Sequence, residues 1–479
     1  MIALLMVLAQ DPAYETLALE AGPRTDAIVA RDVDGDGRVD LLVQSGRDLQ
    51  VFLHEKGGFA LKPVQTFRLD PSVFLWTLGS IDGQSRPALL SAGSRAIQGH
   101  FFEGRGYAPA RDLVVHPSLF EGSLAEGRAP VYHEFAFDLD RDGRSEVLLY
   151  RKDAIFLMKQ EPGGAFRCQQ KLPVPVDIQT MIPWQPQLNL AEKCQVPVMA
   201  IGDLSGDGRP DLGVYREEAI QIFRQDAEGR FAGGEERDLV TEKRKKRGQR
   251  FFQFDLPPRI EDFNGDGLLD LALVYPSKGR VQVYYGGNGK IDFTQPDMIM
   301  RVADGWSTGI YVEDLDGDKK LDLIMGVVRR FGITEGIQVF LSGKVDLELH
   351  MYPTLASGRF AAEPAAELKF SIPYSFQMSR EAASLDLIFR PNFKGDFNKD
   401  GLRDMLVATD KTTLRIYPGV KGRLIADQPS GSIAMHPPPG AATTEPFVAD
   451  LNGDGVSDLL LKHIIVSPPR HVLELKLSK

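Results

Sequence analysis

Side-chain oxygens recur at alternate positions in a nine-residue phrase. The phrase first appears as DVDGDGRVD from Asp32 and runs straight into the apolar Leu41, Leu42 and Val43. It returns as DLDRDGRSE from Asp138, DLSGDGRPD from Asp203, DFNGDGLLD from Asp262, DLDGDKKLD from Asp314, DFNKDGLRD from Asp396 and DLNGDGVSD from Asp450, seven copies in all. Positions one, three, five and nine carry the oxygens. These are Asp32, Asp34, Asp36 and Asp40; Asp138, Asp140, Asp142 and Glu146; Asp203, Ser205, Asp207 and Asp211; and Asp262, Asn264, Asp266 and Asp270. The last three copies offer Asp314, Asp316, Asp318 and Asp322; Asp396, Asn398, Asp400 and Asp404; and Asp450, Asn452, Asp454 and Asp458. Position seven can add a backbone carbonyl, from Arg38, Arg144, Arg209, Leu268, Lys320, Leu402 or Val456. Oxygen-only ligation, dense negative charge and a glycine for the sharp turn are what a hard cation such as Ca2+ requires, with up to seven ions expected. Mg2+ suits the phrase less well, because it keeps its water and demands a stricter octahedron. With no cation, several carboxylates would repel one another at close range.

Three copies depart from the pattern. Ser205 removes a carboxylate at position three, Glu146 lengthens position nine, and Lys319 replaces the glycine that the other six copies have at position six. A left-handed non-glycine residue costs about 1–2 kcal/mol. The Asp203 and Asp314 loops are therefore expected to bind more weakly than those from Asp32, Asp262 and Asp450. The phrase is not an EF-hand, which ends on Glu at position twelve and is flanked by helices. Here position twelve is Val43, Leu149, Val214 or Leu273 in the first four copies, and a strand-like run follows.

The elements that position these loops can be read from their spacing. Most phrase starts lie about 50 to 65 residues apart, but the first gap, from 32 to 138, is about twice that. The stretch Leu78 to Gly93, LGSIDGQSRPALLSAG, keeps the turn and the apolar run without the acids, and reads as a degenerate eighth unit. A second signal repeats out of phase, a Gly-rich turn followed by an aromatic. It appears as Gly57-Gly58-Phe59, Gly104-Arg105-Gly106-Tyr107, Gly163-Gly164-Ala165-Phe166, Gly229-Arg230-Phe231, Gly287-Asn288-Gly289 with Phe293, and Gly358-Arg359-Phe360. LQVFLH from Leu49, AIQIF from Ala219, VQVYY from Val281, GIQVFL from Gly336 and TLRIY from Thr413 read as strands by alternation and β-branched content.

Each unit is thus four antiparallel strands, and repetition around a ring makes an all-β propeller. The expectation is eight four-stranded blades, or seven if the degenerate unit builds none. The last unit lacks a fourth strand, and Tyr14 to Leu19 has no blade of its own, so the N-terminal strand should complete the last blade and close the ring. Blades are expected at about 24–70, 71–125, 130–182, 195–245, 251–300, 301–375, 384–435 and 443–479 with 12–20, and insertions near 172–197 and 327–392.

Composition narrows the partners. The 479 residues carry a formal charge of −10, much of it inside the phrases, and seven divalent ions would bring it to −10 + 14 = +4. One dense basic run, KRKKRGQR from Lys243 to Arg250, reads as a solvated loop or an anion patch. No nucleic-acid partner is expected, no stretch approaches a membrane span, and the expected state is a monomer. Cys168 and Cys194 could pair in an oxidising compartment or remain two thiols. Residues 1–10 resemble a minimal secretory signal without a positive n-region, or a plain apolar N-terminus.

The phrase, its apolar run and the later Gly-aromatic turn resemble the FG-GAP and VCBS repeats of integrin α-subunit heads and many bacterial secreted proteins. The resemblance covers almost the whole chain. It implies a calcium-binding propeller but no single activity, since the family hosts adhesins, lectins and enzymes. The expectation is a secreted, periplasmic or cell-surface module that binds a glycan or protein, with Trp76, Trp184 and Trp306 as candidate contacts. The alternatives are a calcium-dependent polysaccharide-lyase-like enzyme and a cell-envelope scaffold or adhesion component. Eight histidines, His54, His100, His116, His133, His350, His436, His463 and His471, form no HExxH, and no G-x-S-x-G elbow occurs, so no catalytic residue is assigned.

Overall fold

The computed structural model describes residues 13–479 apart from 57, 82, 84–85, 117, 120–121, 125, 162–163, 182–190, 217–218, 239–257, 276–278, 288–294, 303–304, 331 and 379–382. Eight sheets follow one another along the chain as blades of a ring. Blade one is Ala27–Arg31, Asp40–Ser45, Asp48–Phe52 and Gln65–Arg68, hydrogen-bonded in that order. The degenerate unit does build blade two, from Val73–Gly79, Ala88–Gly93, Ala96–His100 and Arg111–Val115. A short strand, Val131–Tyr132, lies parallel to its inner edge.

The second strand of each blade explains the apolar runs after the phrases. Asp40–Ser45, Glu146–Tyr150, Asp270–Tyr275 and Asp404–Ala408 are buried along almost their whole length. A sheet packed on both faces has no wet side, so these strands read as continuous apolar sequence rather than as alternation. The cores accordingly lie between blades: Leu42 and Val51 of blade one pack with Trp76 and Leu89 of blade two.

The ring closes as expected. Tyr14–Ala18 pairs antiparallel with Pro469–Ser478, from Tyr14↔Ser478 to Ala18↔Glu474. It completes a sheet whose other strands are Ala441–Ala449 and Asp458–Val466. A buried polar cluster lies at this closure. Glu474 accepts hydrogen bonds from His463 Nε2 at 2.9 Å, from the His436 backbone N–H at 3.0 Å and from His436 Nδ1 at 2.6 Å. Lys476, fully buried, pairs with Glu474 at 2.9 Å and donates to Thr16 Oγ1 of the closing strand at 2.8 Å.

One expected strand is a helix. Gly336 to Leu341 lies inside Ile333–Ser342, a helix that leads into the third strand of blade six, Lys344–Tyr352. Its ends override the local alternation. The Glu335 side chain accepts from Gly332 N–H at 2.8 Å, and Gly343 (φ 63) donates its N–H to Val339 O at 3.0 Å. Val339 packs on the blade-six core, while Ile337, Phe340 and Leu341 are exposed. Blade six also carries a long outer strand, Ala366–Met378, and a fifth strand, Ala383–Leu387. The 172–197 region holds a hairpin of Asp177–Met181 with Ala191–Gln195.

Candidate metal loops and a rim cleft

Each acidic loop spans the turn from the first strand of its blade to the second, and its geometry repeats. Position one bends the chain around itself. Asp32 accepts Gly35 N–H at 2.7 Å and Gly37 N–H at 2.9 Å, and Asp262 accepts Gly265 and Gly267 N–H at 2.8 Å each. Position five accepts the N–H two residues on in all seven loops, as Asp266 does from Leu268 at 2.8 Å. Position three does so in five of them, as Asn264 does from Asp266 at 2.9 Å; Asp140 and Ser205 are the exceptions. These bonds force a left-handed backbone at positions four and six. Glycine stands at most of these places, and the exceptions, Arg141 (φ 61), Lys319 (φ 70) and Lys399 (φ 61), hold the same conformation.

Position nine does something different. Asp40, Asp211, Asp270, Asp322, Asp404 and Asp458 are buried, and each bridges two backbone donors. Asp270 accepts Phe263 N–H at 2.8 Å and Gly286 N–H at 2.7 Å. Asp404 accepts Phe397 N–H at 2.7 Å and Gly419 N–H at 2.9 Å. The carboxylate thus ties the loop to the far end of the third strand. Burial pushes these acids up, to about 6 for Asp40 and Asp404 and about 7 for Asp270 and Asp322, against the lowering pull of the two N–H groups. The neighbouring loop carboxylates push the same way, and a cation in the loop would offset both.

Position two explains why two out-of-phase signals travel together. Val33, Leu139, Phe263, Leu315 and Leu451 are buried. Each shares an apolar cluster with the Gly-turn residues of the following blade. Val33 packs with Tyr107, Leu139 with Phe231, Phe263 with Phe360, Leu315 with Leu424, and, across the closure, Leu451 with Phe59. The Phe263 and Phe360 rings lie 5.6 Å apart. Each of these five turns therefore covers its neighbour's acidic loop, and these loops sit on the seams of the ring.

The oxygens converge well enough to hold a cation. In each of three loops, three carboxylates offer ligand atoms within 4.8 Å of one another: Asp32, Asp34 and Asp36; Asp138, Asp140 and Glu146; and Asp314, Asp316 and Asp322. The donors are all oxygen, which suits Ca2+ better than a softer metal. Where an ion binds, positions one, three, five and nine would hold it, and its charge would lock the loop against the seam. The Arg38 and Arg209 guanidinium groups pair with the position-five acids Asp36 and Asp207.

A separate cleft opens on the rim between blades one and two and encloses about 400 Å3. Phe67, Arg68 and Asp70 line one side, and Ser91, Gln98 and His100 the other. The Phe67 and His100 rings are 5.4 Å apart. Burial holds the His100 imidazole below its ordinary value, against the raising pull of the Ala108 carbonyl. The contact from Nδ1 to Ala108 O is 3.2 Å, and a carbonyl can only accept, so Nδ1 carries the proton and Nε2 of the neutral ring is an acceptor. Ser91 Oγ is buried and has no hydrogen-bond partner among the described residues.

The tryptophans fall elsewhere. Trp76 is fully buried in the seam between blades one and two, and its Nε1 donates to Gln44 Oε1 at 2.8 Å. Trp306 is half-buried against the blade-six core. Trp184 and the run Lys243 to Arg250 lie outside the described residues. Cys168 is a free, exposed thiol. The left-handed position four and the rim cleft were both missed from sequence. The first was legible in the glycine that stands there in five of seven phrases. The second left no local signal.

Comparison with known families agrees with this geometry. The FG-GAP-like repeat model matches residues 262–325 and 396–461. The matched repeats lie in blades of the eight-bladed ring, so the chain is a β-propeller that carries FG-GAP-like repeats. Comparison with curated proteins gives no match. Among solved structures, the chain is similar to an Agrocybe aegerita lectin described as recognising non-reducing terminal N-acetylglucosamine. The two are 12% identical over 85% of this chain and 93% of that one, with a TM-score of 0.45. It is also similar to BBS1N in complex with ARL6DN, at 11% identity over 98% and 96% of the two chains and a TM-score of 0.40. The Vibrio cholerae biofilm matrix protein Bap1 is 14% identical over 94% and 76%, with a TM-score of 0.29.

Proposed function

We propose that this chain is a calcium-stabilised binding propeller that works outside the cytoplasm and recognises a glycan in the rim cleft between blades one and two. The calcium loops hold the seams, and the binding is done by the cleft. The observation that carries the reading is the pair of Phe67 and His100 rings, 5.4 Å apart, in a cleft of about 400 Å3, the size of a small-ligand site. The cleft offers the His100 Nε2 acceptor, the Gln98 amide and the Phe67 ring. One acceptor, one amide and one aromatic ring suit a neutral sugar ring, which is rich in hydroxyls on one edge and in C–H groups on its face.

Saturation-transfer NMR with a panel of neutral methyl glycosides tests this. The expected result is transfer to at least one glycoside, lost in His100→Ala and weakened at least tenfold in Phe67→Leu. No transfer to any glycoside, or transfer unchanged in both variants, would overturn it.

A further inference from the structure

The blade-three loop differs from its six siblings in what faces it across the sheet. Val147 pairs with Met158, so Glu146 at position nine stands opposite Lys159. The same place is Leu53 in blade one, Arg224 in blade four, Tyr285 in blade five, Pro353 in blade six, Pro418 in blade seven and Leu477 in blade eight. The Lys159 ammonium pairs with Asp140, the position-three acid, and lies 3.9 Å from Glu146 Oε1. Among the described residues, no other Lys or Arg side chain pairs with a carboxylate at position one, three or nine of any phrase. The only other cation at this place, Arg224, is exposed and forms no ion pair among the described residues.

Glu146 itself has moved. In each of the other six loops the position-nine acid accepts at least two backbone N–H groups, one from position two and one from the last residue of the third strand or just past it. Glu146 keeps the first, Leu139 N–H at 2.9 Å. The equivalent of the second donor is Gln160, and no bond from its N–H to Glu146 is formed. The extra methylene carries the carboxylate past that donor and toward Lys159.

We propose that Lys159 is the resident cation of the blade-three loop. Its ammonium stands between Asp140 and Glu146, where the other loops would take a divalent ion. An ammonium brings one charge and three donors, enough to hold these acids together, and it repels a second cation at close range. The loop is then closed without calcium, and it binds calcium at least 100-fold more weakly than the Asp32 or Asp262 loop. This rests on the reading that those other loops bind calcium.

The test is Lys159→Leu, which installs the residue that blades one and eight carry at this place. Bound calcium is counted by equilibrium dialysis, and thermal melting is followed in chelator and in calcium. The expected result is one more calcium ion per chain in the variant than in the native protein, and a lower melting temperature in chelator that calcium restores. Equal counts would overturn the proposal, as would a melting loss that calcium does not repair. Lys159→Gln, which keeps a hydrogen-bond donor without the charge, gives the same comparison if the leucine variant does not fold. If neither form binds any calcium, the calcium reading of the whole family of loops fails. If both bind calcium in equal number, only the role of Lys159 fails.

Discussion

Replacing Glu474 with glutamine should damage the closure of the ring more than any surface change of its size. The native carboxylate is buried and takes hydrogen bonds from His463, His436 and Lys476. Glutamine keeps the shape but removes the charge, leaving the fully buried Lys476 ammonium without a counter-ion. Breaking a buried pair from one side costs about 3–5 kcal/mol. The acid's own titration gives a similar figure. Burial pushes Glu474 up, but the bonds from His463, Lys476 and His436 outweigh it and bring the group down to about 2. Against an ordinary glutamate near 4.5 that is worth about 3 kcal/mol. Because the folded value lies below the unfolded one, the stabilisation is present above about pH 4.5 and is lost as pH falls toward 2. Urea unfolding of native and Glu474→Gln protein at pH 7 and pH 3 measures both effects. The expected loss is about 3–5 kcal/mol at pH 7, shrinking at pH 3, with most of it recovered by the double variant Glu474→Gln, Lys476→Met. A loss below about 1 kcal/mol at pH 7, or one that does not shrink in acid, would refute this electrostatic account of the closure.

Asp266→Ala, at position five, removes a carboxylate whose backbone bond is exposed, so in chelator it should cost less than about 1 kcal/mol in a urea titration. In calcium at 100 times the dissociation constant the same variant should forfeit a further increment of about 2.7 kcal/mol. Phe360→Ala should cost about 3–5 kcal/mol in either condition, because the ring fills the seam against Phe263. Lys319→Gly relieves a left-handed residue and should stabilise by about 1 kcal/mol, read as a rise in melting temperature together with tighter calcium binding.

The eight blades, the closing strand and the acidic loops were legible because a repeat averages out local noise. Seven phrases agree where any one could mislead, and the apolar run Ala88-Leu89-Leu90 kept the degenerate unit recognisable after its acids had gone. The two out-of-phase signals were visible separately, but their meaning was not. That Phe360 covers Phe263 depends on how one blade packs on the next. The helix at Ile333–Ser342 was misread because Ile337, Val339 and Leu341 alternate like a strand, while the capping contacts of Gly332 and Gly343 decide its conformation. Lys159 was hidden for a different reason. Its importance comes from the pairing register that sets it opposite Glu146, and nothing within the phrase points to it. His100 was hidden likewise, since it meets Phe67 only across a seam. Among the three tryptophans, Trp76 is closed to a ligand by its burial. Trp76 is a large residue used to fill a seam, its indole N–H satisfied by Gln44.

The claim that the acidic loops bind calcium and thereby hold the ring together is tested most directly by thermal melting in excess chelator and again after calcium is restored. Loops on the seams between blades predict that chelation lowers the melting temperature by many degrees and that calcium reverses the loss. Superimposable melting curves in the two conditions would contradict it.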